Sequence, residues 1–127
     1  MSAERWGAAV AAVAALLGAA GVALAAAASH GGGHPSLSTA ATFLILHGGV
    51  GIALVAVSRT ALSPFAYLVS ATVMVAGVAL FAGDLAHRAF LNDRLFPFAA
   101  PTGGALMIGG WLLAAAAGLV GAFGRRV

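Results

Sequence analysis

The chain contains very little charge and no lysine. Only 7% of its 127 residues are Asp, Glu, Lys or Arg, and all six basic side chains are arginines, whereas a soluble domain carries about 25% charged residues. This scarcity argues against an ordinary soluble domain. The arginines are spread along the chain rather than gathered in a basic stripe, which argues against nucleic acid as a partner. We interpret them as charges that orient the chain in a membrane.

The sequence also lacks cysteine. Without cysteine there is no disulfide framework, no thiolate metal site and no cysteine nucleophile. The apolar stretches contain no Ser/His/Asp set, no pair of carboxylates and no phosphate-binding loop with a following lysine. We therefore expect no enzymatic activity and no resident cofactor.

Hydrophobic residues, by contrast, make up 62% of the chain and occur in long runs. A bilayer core of about 30 Å is crossed by a helix of roughly 20 apolar residues. The sequence thus predicts an all-α membrane protein, built as a compact bundle of transmembrane helices in a single domain, residues 1–127. The predicted spans are about 7–28, 40–58, 64–85 and 102–123.

The segments between the spans contain residues that begin or end helices. Residues 29–39 are rich in Gly, Pro and Ser and predict a turn. Ser63 is placed to cap the third helix ahead of Pro64, and Thr102 is placed to cap the fourth. The first span could instead be a secretory signal, although its apolar run of about 22 residues exceeds the roughly 7–15 of such signals.

Arginine positions predict that both termini lie in the cytoplasm, as expected for a protein of a bacterial-type inner membrane. With the N-terminus inside, the inner side carries twice as many arginines as the outer side, in agreement with the positive-inside rule. All the histidines and two of the three acids then fall in the outer half. The inner arginines are Arg5, Arg59, Arg125 and Arg126, and the outer ones are Arg88 and Arg94.

Small residues recur every four positions along the last span, at Gly110, Ala114 and Gly118. Such spacing places them on one helix face, where they let another backbone approach closely inside lipid. This face is expected to pack against the rest of the bundle or to support oligomerisation.

The order of several motifs resembles a known family of small membrane proteins. A glycine-rich first helix ends in Ser29-His30-Gly31, the second helix carries His47, and the stretches at 80–90 and 99–115 read LFAGDLAHRAF and AAPTGGALMIGGWLLAA. This combination resembles the domain of unknown function 423 family, which includes the transmembrane-protein-256-like proteins. The resemblance implies a fold and a membrane location, and it implies no established activity. The matching positions are Phe81, Gly83, Leu85, Pro101, Gly103, Gly104, Gly110 and Trp111.

A polar cluster interrupts the apolar pattern near the end of the third span. Asp84, His87 and Arg88 share one helical face because they are spaced i, i+3 and i+4. The simplest interpretation is a structural cluster at the membrane boundary, in which Asp84 faces the bundle and pairs with Arg88 or with a histidine of another span. An unpaired carboxylate facing hydrocarbon would be unfavourable.

Two functional interpretations of the polar residues remain open. Imidazole and carboxylate groups together suit Zn²⁺ or Cu²⁺, so the histidines and Asp84 could form a metal site. His47 lies within a span, where an ionisable group can mark a proton or solute pathway or can be a neutral imidazole bonded to a neighbouring helix. A haem site is less well supported, because His47 has no evident axial partner. The candidate metal ligands are His30, His34, His47, Asp84 and His87.

These observations favour a non-enzymatic integral membrane protein that acts as an accessory or structural subunit. Its surroundings would be the lipid bilayer and a membrane-protein partner or further copies of itself. The alternative is a small transporter or metal- or proton-handling protein that uses the outer cluster of His and Asp.

Overall fold

The computed structural model describes residues 1–30 and 34–124, and these fold into four α-helices. The helices are α1 (Ala3–His30), α2 (Pro35–Ser58), α3 (Pro64–Leu91) and α4 (Ala99–Phe123). Each described helix is long and apolar enough to cross a membrane. The predicted all-α membrane fold with four spans is therefore confirmed.

The helices extend beyond the predicted spans because polar residues near their ends remain helical. In the first turns of α2, the hydroxyls of Ser38 and Thr42 donate to the carbonyl oxygens of Pro35 and Ser38, both at 2.9 Å. At its C-terminal end, α3 continues to Leu91, several residues past the apolar stretch. The apolar runs thus mark the lipid-crossing part of each helix rather than its ends.

The helix starts differ in part from the sequence prediction. Ser63 occupies the N-cap of α3 ahead of Pro64, but within the described residues its hydroxyl makes no capping hydrogen bond. The predicted cap at Thr102 is wrong, since Thr102 lies inside α4 and its N–H donates to the Phe98 carbonyl oxygen at 2.9 Å. Phe98 itself precedes α4 in the left-handed region, with φ of 66°.

The helices run up and down, each packed on the next along the chain. The starts of α1 and α3 and the end of α2 line one cleft, whereas His34, ahead of α2, and Asn92, after α3, line a cleft at the other end. We call this second end the polar end; it comprises His34, the last turns of α3, residues 92–98 and the start of α4.

The two middle helices are more buried than the outer ones. In the most apolar 18-residue stretch of each helix, 44% of the residues are buried in α2 and α3 but only 17% in α1 and α4. Packing of α1 on α2, α2 on α3 and α3 on α4 explains this difference, because α1 and α4 each have one principal neighbour. Two apolar clusters fill the described bundle, one around Leu54 and Met74 and one around Val78 and Met107.

Glycines set the distance between α3 and α4. A Cβ on Gly103 would lie 2.6 Å from both the carbonyl oxygen of Gly77 and the backbone nitrogen of Phe81, and a Cβ on Gly77 would lie 2.8 Å from the carbonyl oxygen of Gly103. The backbones therefore touch at this crossing, and only glycine fits on either side of it.

A similar crossing joins α1 and α2. A Cβ on Gly48 would lie 2.7 Å from the carbonyl oxygen of Ala14 and 3.1 Å from the backbone nitrogen of Gly18. One turn further along α1, a Cβ on Gly21 would lie 3.0 Å from the carbonyl oxygen of Ala41. Helix pairs at both sides of the bundle thus use glycine for backbone contact.

Candidate functional site

Asp84 is fully buried at the polar end, where it faces the bundle. The Nε–H of Arg88 donates to Asp84 Oδ2 at 2.8 Å, and a second guanidinium N–H of Arg88 donates to the same oxygen. This is the i, i+4 pair that the spacing predicts, and it is the one ion pair within the described residues. The Arg88 side chain remains 34% exposed, so its guanidinium lies between the buried carboxylate and the surface.

The other oxygen of Asp84 fixes the connection between α3 and α4. The backbone N–H of Leu95 donates to Asp84 Oδ1 at 2.9 Å. Gly83, next to Asp84, has the Leu95 side chain 3.6 Å from the position that its own Cβ would occupy. The additional donor therefore comes from the connecting loop, which sequence reasoning did not identify because the pairing spans eleven residues without helical periodicity.

His87 also holds this loop. Its Nδ1–H donates to the carbonyl oxygen of Asp93 at 2.9 Å, while the Asp93 carboxylate accepts the backbone N–H of Arg94 at 2.7 Å. Asp84 and His87 thus both bond to the α3–α4 loop, and Arg88 joins them through its pair with Asp84. A structural role of this kind is what their spacing on one face predicts.

The start of α2 reaches the same end of α3. His34 caps α2, with its Nδ1 accepting the Ser36 backbone N–H at 3.3 Å. The Ser36 hydroxyl donates to the same Nδ1 at 2.6 Å, and its oxygen lies 3.3 Å from the carbonyl oxygen of Leu85 on α3. Ser36 therefore contacts the turn of α3 that carries Asp84.

His47 is buried inside the bundle as a hydrogen-bonded imidazole. Its Nδ1–H donates to the Phe43 carbonyl oxygen at 3.0 Å, and its Nε2 accepts the indole N–H of Trp111 at 3.4 Å. Because one ring nitrogen donates and the other accepts, these bonds fit the neutral ring with its proton on Nδ1. Phe43 stacks on the ring and Trp111 meets it edge-on. The sequence left the partner of His47 open, and it is Trp111 of α4.

Four of the five candidate metal ligands have separate partners in the described structure. His34 contacts Ser36, His47 contacts Trp111, Asp84 contacts Arg88, and His87 contacts the Asp93 carbonyl oxygen. His30 is exposed at the end of α1. Across residues 1–30 and 34–124, no three His, Asp or Glu side chains gather as a metal-binding group. A zinc or copper site remains a prediction that rests on the sequence.

The small-residue face of α4 is directed toward α3. A Cβ on Gly110 would meet the Cβ of Met74 at 3.1 Å, and the Ser70 hydroxyl donates to the Gly110 carbonyl oxygen at 2.7 Å. Ala114 packs against the apolar cluster around Met74. Gly118 has more space, since its closest neighbour would be the Tyr67 hydroxyl at 3.4 Å. The two expected uses of this face are packing within the bundle and oligomerisation. The observed contacts are those of packing within the bundle.

Residues 17–104 match the model of a family described as a protein of unknown function, DUF423. The chain belongs to the DUF423 family. The matched part of this DUF423 protein covers the second half of α1, all of α2 and α3 and the start of α4, and it includes His47 and the Asp84–Arg88 pair. A search of the curated proteins and a search of the solved structures found no significant match.

Proposed function

We propose that this protein is a non-enzymatic accessory subunit of the membrane that packs the free face of α1 against a partner helix. The observation that carries the proposal is the composition of that face. One row of exposed residues runs along α1 with alternating steps of four and three, and all of them except one are alanine; the larger exposed side chains Val13 and Leu16 lie beside this row. The row comprises Ala8, Ala12, Ala15, Ala19, Val22 and Ala26.

The other outer helix has a different free surface. The exposed side of α4 carries large apolar side chains, including Ile108, Leu112 and Leu119. Large aliphatic side chains suit contact with lipid tails. Alanine contributes little to insertion, but it lets a second helix come close enough for extensive van der Waals contact. The difference supports lipid as the neighbour of α4 and protein as the neighbour of α1.

The contacts at the polar groups also support a structural function over transport or metal handling. His47 uses both ring nitrogens in bonds within the bundle, and Asp84 uses both oxygens. These are the atoms that a proton pathway or a metal would need. We therefore place the accessory function ahead of a transporter that uses the polar end.

Photo-crosslinking tests the proposal directly. A photoreactive amino acid at Ala15, on the alanine face, is compared with the same amino acid at Ala116, an exposed alanine of α4. In intact membranes we expect a protein crosslink from position 15 and only lipid adducts from position 116. A crosslink to a second copy would identify a homo-oligomer, and one to another protein would identify the partner. Lipid adducts alone from both positions would contradict the proposal.

The substitutions Ala15→Leu and Ala116→Leu give an independent test. In a face covered by a helix, leucine forces the helices apart, whereas in a face covered by lipid it is tolerated. We expect Ala15→Leu to reduce recovery of the crosslinked or co-purified complex while Ala116→Leu leaves it unchanged. Equal recovery of both variants would show that α1 does not form the contact.

The same proposal places both termini in the cytoplasm, with the polar end outside. Its support is the arginine distribution of the sequence together with the up-and-down order of the helices, which puts Ser2 and Ser36 at opposite ends. Cysteine introduced at Ser36 should react with a membrane-impermeant reagent in whole cells, and cysteine introduced at Ser2 should not. The reverse pattern would invert the orientation.

A further inference from the structure

We infer that the polar end contains a binding site for one phospholipid, between the end of α3 and the start of α4. The inference does not depend on the accessory function. It rests on two adjoining clefts of opposite character that share two arginines, Arg88 and Arg94.

The larger cleft is apolar and extends along the helices. It has a volume of about 520 Å³, and its walls are aromatic and small side chains. Phe81 is held in place by Phe43 of α2, with ring centroids 4.8 Å apart. Phe98 is 73% exposed and reaches the cleft from the left-handed position ahead of α4. The other apolar lining residues are Ala100, Pro101 and Gly104.

The depth of this cleft suits an acyl chain. Phe81 lies about two turns of α3 below Arg88, which corresponds to about 10 Å at 1.5 Å per residue. Gly104 lies a comparable distance along α4 from Phe98. The apolar part therefore extends from the membrane boundary toward the hydrocarbon core, the direction in which a lipid tail would extend.

The smaller cleft is polar. It has a volume of about 360 Å³ and is lined by His34, Asn92 and Asp93 together with the same two arginines. Amide, imidazole and carboxylate groups can hydrogen-bond the glycerol or hydroxyl groups of a lipid headgroup. A polar cleft above an apolar one matches the two parts of a phospholipid in order.

The charge at the junction of the clefts favours phosphate. Arg88 and Arg94 are the charged residues that line the apolar cleft. The carboxylate of Asp84 is buried behind Arg88, so of this pair the guanidinium is the group on the accessible side. The Asp93 carboxylate, which lines the polar cleft, accepts the backbone N–H of Arg94. Among the described residues, the Arg94 guanidinium makes no ion pair. Arginine side chains bind phosphate through paired N–H donors.

The start of α4 adds positive charge at the junction of the two clefts. The N-terminus of a helix carries a partial positive charge that favours an anion nearby. The first turn of α4 contains no acidic residue in the described chain, so that charge is not neutralised locally. The loop that carries Arg94 is itself fixed by the bonds of Asp84 and His87 to Leu95 and Asp93. The backbone at Arg94 is therefore fixed beside the cleft before a ligand binds.

Lipid binding to the purified full-length protein, measured by native mass spectrometry from detergent micelles, tests the inference. Phosphatidylglycerol is the probe, diacylglycerol with the same chains lacks the phosphate, and inorganic phosphate lacks the chains. We expect one phosphatidylglycerol to be retained at concentrations where neither of the other two molecules binds or competes. Competition by inorganic phosphate at equal concentration would show that the site binds a free anion rather than a lipid, and would overturn the inference. Equal retention of diacylglycerol would also overturn it.

Two variants and two matched controls locate the site. Arg94→Gln removes the guanidinium and should weaken phosphatidylglycerol binding about tenfold or more, the effect of losing one charge-assisted pair of hydrogen bonds. Arg59→Gln removes an exposed arginine at the opposite end and should leave binding unchanged. Gly104→Phe places a ring in the apolar cleft and should abolish binding, because the ring occupies the space of the acyl chain. The fold should tolerate the change, since a Cβ at Gly104 meets no protein atom within 4 Å among the described residues.

The control for Gly104→Phe is Gly109→Phe, since Gly109 is also on α4 and a Cβ there likewise meets no described atom within 4 Å. It should bind lipid as the unmodified protein does. The glycine variants are compared by their thermal unfolding to confirm that each is folded. Loss of lipid from all variants equally, or from none of them, would show general solvation by lipid and would overturn the inference. If Gly104→Phe does not fold, the comparison of Arg94→Gln with Arg59→Gln decides by itself.

Discussion

The α1–α2 pair and the α3–α4 pair are built alike but are held together differently. In both pairs a glycine on one helix contacts the backbone of the other. In α3–α4, however, each helix contributes a glycine at the same point, and the connecting loop is bonded to the buried Asp84. In α1–α2, Gly48 is the glycine with the closest backbone contact, and the outer helix presents mostly alanine.

This difference shows that glycine contact alone does not fix a helix. At Gly103 and at Gly48 alike, the atoms nearest to an added Cβ are backbone, so no side chain can turn away to relieve the clash. What differs is hydrogen bonding: the Ser70 hydroxyl of α3 donates to the Gly110 carbonyl oxygen of α4 at 2.7 Å, whereas no side-chain hydrogen bond joins α1 to α2 among the described residues. We therefore expect the α3–α4 pair to be the more rigid part of the molecule.

Each outer helix also bonds to the non-adjacent middle helix through a tryptophan. The indole N–H of Trp6 donates to the Thr72 hydroxyl at 3.0 Å and so joins α1 to α3. The indole N–H of Trp111 donates to His47 and so joins α4 to α2. Each of these bonds joins the α1–α2 pair to the α3–α4 pair. Loss of one bond should change the stability of the bundle by a different amount from loss of the other.

The largest effect is expected from Gly103→Ala. The new methyl group would lie 2.6 Å from two backbone atoms of α3, so the helices must separate. Overpacking of this kind costs about 3 kcal/mol of unfolding free energy. Gly104→Ala is the control, because its methyl group would meet no described atom within 4 Å. Unfolding in SDS measures both; similar stability of the two variants would contradict backbone contact at this crossing.

The next largest effect is expected from Asp84→Leu. This substitution leaves the Arg88 guanidinium and the Leu95 N–H without their partner and should lower stability by about 2 kcal/mol, a figure reduced because Arg88 can turn toward water. Asp84→Asn retains an acceptor for Leu95 and should be milder. Thermal unfolding in detergent distinguishes them. If both variants were as stable as the unmodified protein, the loop contact would not contribute to the rigidity of α3–α4.

A smaller effect is expected from Gly48→Ala. The added methyl group would lie 2.7 Å from the Ala14 carbonyl oxygen, but no side-chain hydrogen bond holds α1 on α2 among the described residues, so we expect a smaller cost of about 1 kcal/mol. Gly49→Ala is the matched control, with no described atom within 4 Å of its methyl group. A loss as large as that of Gly103→Ala would show that α1 is held as firmly as α4 and would remove the contrast between the pairs.

The smallest effects are expected at the tryptophans. Trp111→Phe leaves the buried His47 Nε2 without a donor and should cost about 1 kcal/mol. Trp6→Phe should cost less, because the Thr72 hydroxyl keeps its bond to the Leu68 carbonyl oxygen at 2.8 Å. Comparing the thermal unfolding of the two variants tests this order. A greater loss from Trp6→Phe would show that α1 depends on this bond more than on its contacts with α2.

Much of the polar end could be predicted from the sequence because its central contact is local. Asp84 and Arg88 lie one helical turn apart, and the periodicity of a helix brings such residues together whatever surrounds them. The Leu95 N–H and the His87–Asp93 contact depend on how the chain turns after α3. That turn includes Asn92 and Phe98 in the left-handed region, which no local pattern indicated.

The sequence by itself determined the four spans and the helical spacing that brings Asp84 and Arg88 together. Apolar runs long enough to cross a bilayer must be helical, since every backbone polar group there needs a partner within its own segment. The tertiary structure decided which glycines meet, that His47 bonds to Trp111, and that the candidate metal ligands lie apart in the described residues. These features depend on the rotation and register of each helix against its neighbours. Rotation and register result from all the contacts between the helices at once, so no local stretch of sequence predicts them.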